Sequence, residues 1–302
     1  MRVAAAQIAP VLLDRAATLE RIVEACHEAQ RQGARLVGFS ETLLPGYPVW
    51  LSRTHGAAFN DSDQKRIHAR YLDQAVELPG PELTRLQQLA GDLGLTIVTG
   101  VAERVRGTIH ATCLWVHPDG EWLAHRKLVP TYEERLAWGP GDGHGLQVQV
   151  VDGWRVSALN CWENWMPLAR AALYAQGTEV HLSIWPGDPR NTRDNSEFVS
   201  REGRVYVVAS SGIMTVDDLP ADLPLRSEIA ATAPEGILQA GGSRIVAPTG
   251  ELLAQVEGPV PGVVTAELDR QVLFGERQNF DPAGHYSRPD VLRLEVDRSR
   301  RE

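Results

Sequence analysis

Short β-rich runs alternate with runs of helical spacing along the whole chain, and several of the β-rich runs are joined as hairpins. Arg2–Ile8 alternates as a strand. Asp14 offers an N-cap, and Leu19, Ile22, Val23, Cys26 and Ala29 then recur at helical spacing up to Gly33. Leu36–Phe39 reads as a short buried strand, Pro81–Leu93 as an amphipathic helix and Leu95–Val101 as a strand. Thr112–His117 and Glu121–Arg126 flank a Pro-Asp-Gly turn, and Val148–Asp152 and Arg155–Asn160 flank Gly153. Pro167–Gln176 and Asn195–Gly203 read as helices, Glu179–Trp185 and Arg204–Ser210 as strands. Ser243–Ala247 pairs with Glu251–Gln255 across Pro-Thr-Gly, and Val263–Glu267 is a last strand. This pattern predicts an α/β chain with mixed sheets covered by helices on their outer side. Two sheets facing each other would use this many strands.

No Ser-, Gly- or Pro-rich linker, repeat or low-complexity tract divides the chain. With 302 residues, 43% of them hydrophobic, it can form a large core without disulfides or metals. The formal net charge of −9 makes nucleic acid a poor partner. The longest stretch without a charged residue, Val205–Val216, is 12 residues, against about 20 for a membrane-spanning helix. The opening MRVAAAQIAPVLLD is broken by Gln7 and Pro10 and reads as a strand and a turn rather than a signal peptide. Three cysteines, none in a CxxC, speak against a disulfide framework and against a zinc site, and make a reducing cytoplasm the default.

Reactive residues stand at strand ends. The run ending at Phe39 leads into Ser40-Glu41 and a Pro/Gly loop, which puts the Glu41 carboxylate at a sheet rim. Lys127 follows the second strand of a hairpin. Arg155–Asn160 runs into Cys161, a turn and a helix, the outline of a nucleophile elbow in which backbone N–H groups can receive negative charge. Read alone, Glu41 is more often a loop cap and Lys127 a solvated surface lysine. Cys26 on a helix face and Cys113 inside a strand read as buried structural thiols; Cys161, at an element boundary, does not. A thiol needs a base, and no histidine lies between His144 and His181. A carboxylate with a raised pKa and a lysine that holds an oxyanion suit the task, and Glu41 and Lys127 are placed for those roles.

The segments FSETLLPGYP, HRKLVPTYEER and LNCWENWMPL resemble, in order and spacing, the Glu, Lys and Cys motifs of the nitrilase, or carbon–nitrogen hydrolase, superfamily. The likeness runs from the opening strand to GHYSRPDVL and includes GSRIVAPTGELLA; the residues after Cys161 are similar to the nitrilase branch. The resemblance implies a four-layer α-β-β-α sandwich over a single domain, 1–284, with a tail over 285–302, and a homodimer or larger assembly, eight-layered in the dimer. It implies Cys161 as nucleophile, Glu41 as general base, and Lys127 with the Trp162 backbone N–H stabilising developing charge. It also implies Glu134 as a second glutamate that positions Lys127, substrate or water. Glu163 is either a residue that orients the site or a cap of the helix at Pro167. The expected reaction converts a nitrile and water to a carboxylic acid and ammonia through a thioimidate and a thioester, with no cofactor and no metal.

Tyr47, Trp50, Trp138, Trp165 and Trp185 fall in or beside these segments and are candidate walls of a small-molecule pocket, or parts of the core. An amidase of the same superfamily, a cyanide-degrading enzyme and a non-enzymatic scaffold are the competing functions; the complete Glu41, Lys127 and Cys161 set speaks against the last.

Overall fold

The computed structural model describes residues 1–301. Two six-stranded sheets dominate it. In spatial order the first consists of Gly262–Glu267, Arg2–Gln7, Leu36–Gly38, Thr96–Val105, Thr108–Val116 and Trp122–Arg126. The second consists of Leu252–Gln255, Arg244–Val246, Tyr206–Ser211, Val180–Trp185, Trp154–Asn160 and Gln149–Val151. Each has a parallel centre, Arg2–Gln7 to Thr96–Val105 in the first and Trp154–Asn160 to Tyr206–Ser211 in the second, with antiparallel pairs outside it.

The two-residue period of the strands sorts their side chains into layers. Val3, Ala5, Leu36, Val98 and Trp115 of the first sheet meet Val156, Leu182, Ile184, Tyr206 and Val208 of the second in one buried cluster. The intervening Ala4, Ala6, Val37, Ile97 and Leu114 face outward onto the helices Arg15–Arg31 and Pro81–Leu93. On the far side, Leu159 packs on Ala169 and Leu173, and Val207 and Ala209 pack on Val199, under the helices Pro167–Tyr174 and Pro189–Gly203. The result is the expected four-layer α-β-β-α sandwich.

Asp14 caps the first helix by accepting from the Ala17 N–H, and Pro81–Leu93 has the expected bounds. The helix expected over Asn195–Gly203 begins earlier, at Pro189, with Asp188 as its N-cap; its polar first turn carries no periodic signal. Sequence reading passed over several elements, among them the helices Ser62–Gln74 and Arg270–Arg277 and the antiparallel pair Ile213–Thr215 with Ile237–Ala240. The helix Ser62–Gln74 buries only Ile67 and Tyr71, too few apolar positions to show a stripe. Among the described residues no helix is long and apolar enough to cross a membrane.

Most of the stretch from His285 to Glu295 is exposed, but the chain then returns to the body. Val296 packs on the Leu146–Leu173 cluster, Arg300 pairs with Asp142 at 3.2 Å, and the Arg301 carbonyl accepts from Arg126 at 2.8 Å.

Candidate active site

Glu41 and Lys127 hang from the first sheet and Cys161 from the second. Glu41 follows Leu36–Gly38, Lys127 follows Trp122–Arg126, and Cys161 follows Trp154–Asn160. Each therefore stands at the C-terminal end of a strand, the rim where open α/β sheets gather ligands. The sheets are stitched at this point: the Glu41 N–H donates to the Trp185 carbonyl across the layers at 3.3 Å.

Local backbone conformation aims these groups. Cys161 itself has φ +48°, Thr42 beside Glu41 has φ +43°, and Tyr132, two residues before Glu134, has φ +47°. Left-handed backbone at residues with a Cβ costs on the order of 1–3 kcal/mol and persists where the surroundings enforce it. Gly100 shows that enforcement, because a Cβ there would lie 2.2 Å from the Thr42 nitrogen and 2.6 Å from the Glu41 Cα. Only glycine lets the neighbouring strand approach so closely.

The Lys127 ammonium lies 2.9 Å from Glu41 Oε1 and 2.7 Å from Glu134 Oε2. One oxygen each of Glu41 and Glu134 and the Cys161 sulfur lie within 4.8 Å of one another. Among the described residues that donor set is the one grouping that resembles a metal cage, but the Lys127 ammonium already supplies the cation between its carboxylates. All four residues are buried. Apart from the Lys127 contact, neither oxygen of Glu41 has a hydrogen-bond donor among the described residues. Glu134 is held more fully, accepting from the Tyr47 hydroxyl at 2.9 Å and from the Thr131 N–H at 2.6 Å.

Burial pushes the Glu41 carboxyl up to about 8; the Lys127 ammonium opposes this and the Glu134 charge adds to it. Burial also pushes the Cys161 thiol well up, with Glu41 and Glu134 adding, against the pull of Lys127 and a hydrogen bond from the Trp162 N–H. Burial opposes the charge on Lys127, but Glu41, Cys161 and Glu134 outweigh it and hold the amine protonated. The resting arrangement is thus a neutral thiol beside a fixed cation and a carboxylate basic enough to take its proton.

The turn at Cys161 is held from beneath. Asn164 donates to the Cys161 carbonyl at 2.9 Å and to the Leu159 carbonyl at 3.1 Å, and its Oδ1 accepts from His181 Nε2 at 2.7 Å. Burial, with Arg170, pushes His181 down to about 3, so the ring is neutral, its Nδ1 accepting from the Ser157 hydroxyl at 2.9 Å. Glu163 caps the 3-10 helix Cys161–Trp165 by accepting from the Asn160 N–H at 3.0 Å, not the helix at Pro167. It also accepts from the Leu128 N–H at 2.8 Å and contacts His125 Nε2 at 2.9 Å.

The aromatic candidates divide. Tyr47 is at the site as a donor to Glu134, and Trp138 lies edge-on to it at 5.6 Å with its ring beneath the Lys127 ammonium. Trp50 is a core residue, packed edge-on against Tyr71. Trp185 is also buried, clustered with Cys161, its indole N–H donating to Ser183. Trp165 stacks on Phe198, toward the outer helix layer. The Trp162 side chain is half exposed, so its contribution to the sulfur is the backbone N–H alone.

His125, Asn164 and His181 were not singled out from the sequence. His125 had a signal: it lies two residues before Lys127, within the same HRKLVPTYEER segment.

The carbon–nitrogen hydrolase family matches residues 2–274. An aliphatic nitrilase from Sinorhizobium fredii is 35% identical, the match covering 98% of this chain and 95% of the relative. A nitrilase 2 from an unknown prokaryotic organism is 38% identical over 98% of this chain and 92% of its own length. An arylacetonitrilase from Trametes versicolor is 33% identical over 97% and 93%. Among solved structures, a carbon–nitrogen hydrolase superfamily protein from Xanthomonas campestris superposes with a TM-score of 0.71 at 18% identity, covering 93% of this chain and 94% of its own. The chain belongs to the carbon–nitrogen hydrolase family, in its nitrilase branch.

Proposed function

We propose that this protein hydrolyses an organic nitrile to the carboxylic acid and ammonia, with Cys161 as the nucleophile. The observation that carries the reading is the convergence of the sulfur with two carboxylates around one buried ammonium. The names of the relatives support nitrile over amide as the substrate.

Glu41 takes the thiol proton as the sulfur attacks the nitrile carbon, and that proton passes to the nitrile nitrogen to give a thioimidate. Lys127 and the Trp162 N–H face the nitrogen as charge builds there. Glu41 then takes a proton from water, which adds to the thioimidate carbon. The nitrogen leaves as ammonia and a thioester remains. A second water, activated in the same way, releases the acid and restores the thiol. Glu134, itself pinned by Tyr47 and Thr131, fixes the ammonium. Each proton needed returns through Glu41, which matches its raised basicity.

Ammonia release from nitriles and from the corresponding amides, measured side by side, tests the reading. Release from nitriles is expected, with kcat/KM falling on the acid side around pH 8 as Glu41 becomes protonated. The midpoint belongs to the coupled cluster rather than to one residue. Turnover of amides alone would replace this reading with an amidase.

The active unit is a homodimer, or an assembly built from one. Trp162, Leu168 and Phe198 are exposed on the outer side of the second sheet, where a second copy would cover them. Phe198→Asp is expected to shift sedimentation from dimer to monomer; a wild-type chain that sediments as a monomer would overturn the pairing. A free catalytic thiol suits a reducing cytoplasm.

A further inference from the structure

Glu163 and His125 form a buried pair whose contacts fall on either side of both working groups. One Glu163 oxygen accepts from the Leu128 N–H, the residue after Lys127, at 2.8 Å. The other accepts from the Asn160 N–H, the residue before Cys161, at 3.0 Å, and from His125 Nε2 at 2.9 Å. Glu163 and the side chain of His125 are shut away from solvent. A carboxylate is an acceptor at both oxygens, so His125 Nε2 must be the protonated nitrogen. We propose that Glu163, oriented by His125, is a positioning residue that fixes the amine-bearing segment of one sheet against the thiol-bearing turn of the other.

The chemistry of the contacts favours this role over ordinary capping. A cap needs only the Asn160 bond; the Leu128 and His125 bonds cross between the layers and link the two sheets. Three donors also stabilise the ionised form: burial opposes the charge, and the His125 interaction with the two backbone N–H bonds overcomes it, leaving the Glu163 carboxyl below its usual range. A neutral amide of the same shape cannot reproduce the set, because its NH2 would face a backbone N–H or the imidazole N–H.

The inference rests on the nitrilase reading for its kinetic test and on Cys161 reactivity otherwise. Glu163→Gln is expected to lower kcat about 100-fold with KM little changed, since the misplacement affects reacting groups rather than substrate affinity. Alkylation of Cys161 by iodoacetamide, followed by mass spectrometry, is expected to slow about tenfold, and it reads the register of acid and sulfur whatever the substrate. His125→Leu should reproduce both losses, and His125→Gln, whose amide N–H can reach Glu163, should restore most of them. A folded Glu163→Gln with wild-type kcat and alkylation rate would overturn the proposal. If Glu163→Gln does not fold, equal activity of His125→Leu and His125→Gln would do so instead. A wild-type enzyme that is alkylated at Cys161 yet turns over no nitrile would end the substrate reading alone.

Discussion

Cys161→Ala is expected to reduce turnover about 10⁴-fold or more while the protein remains folded. In the proposed mechanism the sulfur forms the covalent bond, and Glu41 activating water directly would be a poor substitute for it. Alanine keeps a Cβ, so the left-handed backbone at position 161 is no easier and no harder to hold than in the wild type. Circular dichroism and the melting temperature should therefore be close to those of the parent. Intact-mass measurement with a slow nitrile should show an adduct on the wild-type chain and none on the variant. A folded variant that retains more than about one-hundredth of the parent's turnover would remove Cys161 from its role.

Lys127→Met should have the second largest effect, on stability as well as rate. The lysine is the one cation between Glu41 and Glu134, at 2.9 and 2.7 Å. Deleting one partner of a buried ion pair costs about 3–5 kcal/mol, because the remaining charges are left without compensation. Turnover should fall to background, since the developing negative charge on the substrate loses its counter-ion. Without the ammonium, the Glu41 carboxyl, already raised by burial, would titrate higher still. The folded state then binds more protons than the unfolded one in that window, so the variant should gain stability as pH falls from 8 toward 5. Urea midpoints measured across that range test the sign; a variant that is least stable at the acid end would contradict it.

Much of the site was legible because its groups sit where a strand stops. Glu41 and Cys161 each close a mainly apolar run, whereas Lys127 follows His125-Arg126, and it is the resemblance of the three motifs together that singles out Glu41 and Lys127. The layers were legible through alternation: Val3 and Ala5 face one way, Ala4 and Ala6 the other. What escaped was set by contacts between distant segments. Trp50 and Trp138 are of the same type and share one buried cluster, but only tertiary packing brings the Trp138 ring to the Lys127 ammonium and leaves Trp50 against Tyr71. Glu163 has the spacing of a local cap, and its bond to Leu128 across the layers cannot be inferred from that spacing. The helix Ser62–Gln74 was missed because two buried residues do not make a period.

Because the acid and amine descend from one sheet and the sulfur from the other, the reaction distance is also an interlayer spacing. Trp115, Tyr206 and Leu182, buried between the layers, act as its shims. Warming that loosens this filling would pull the reactants apart while every strand is still paired, so the enzyme should fall silent before it melts.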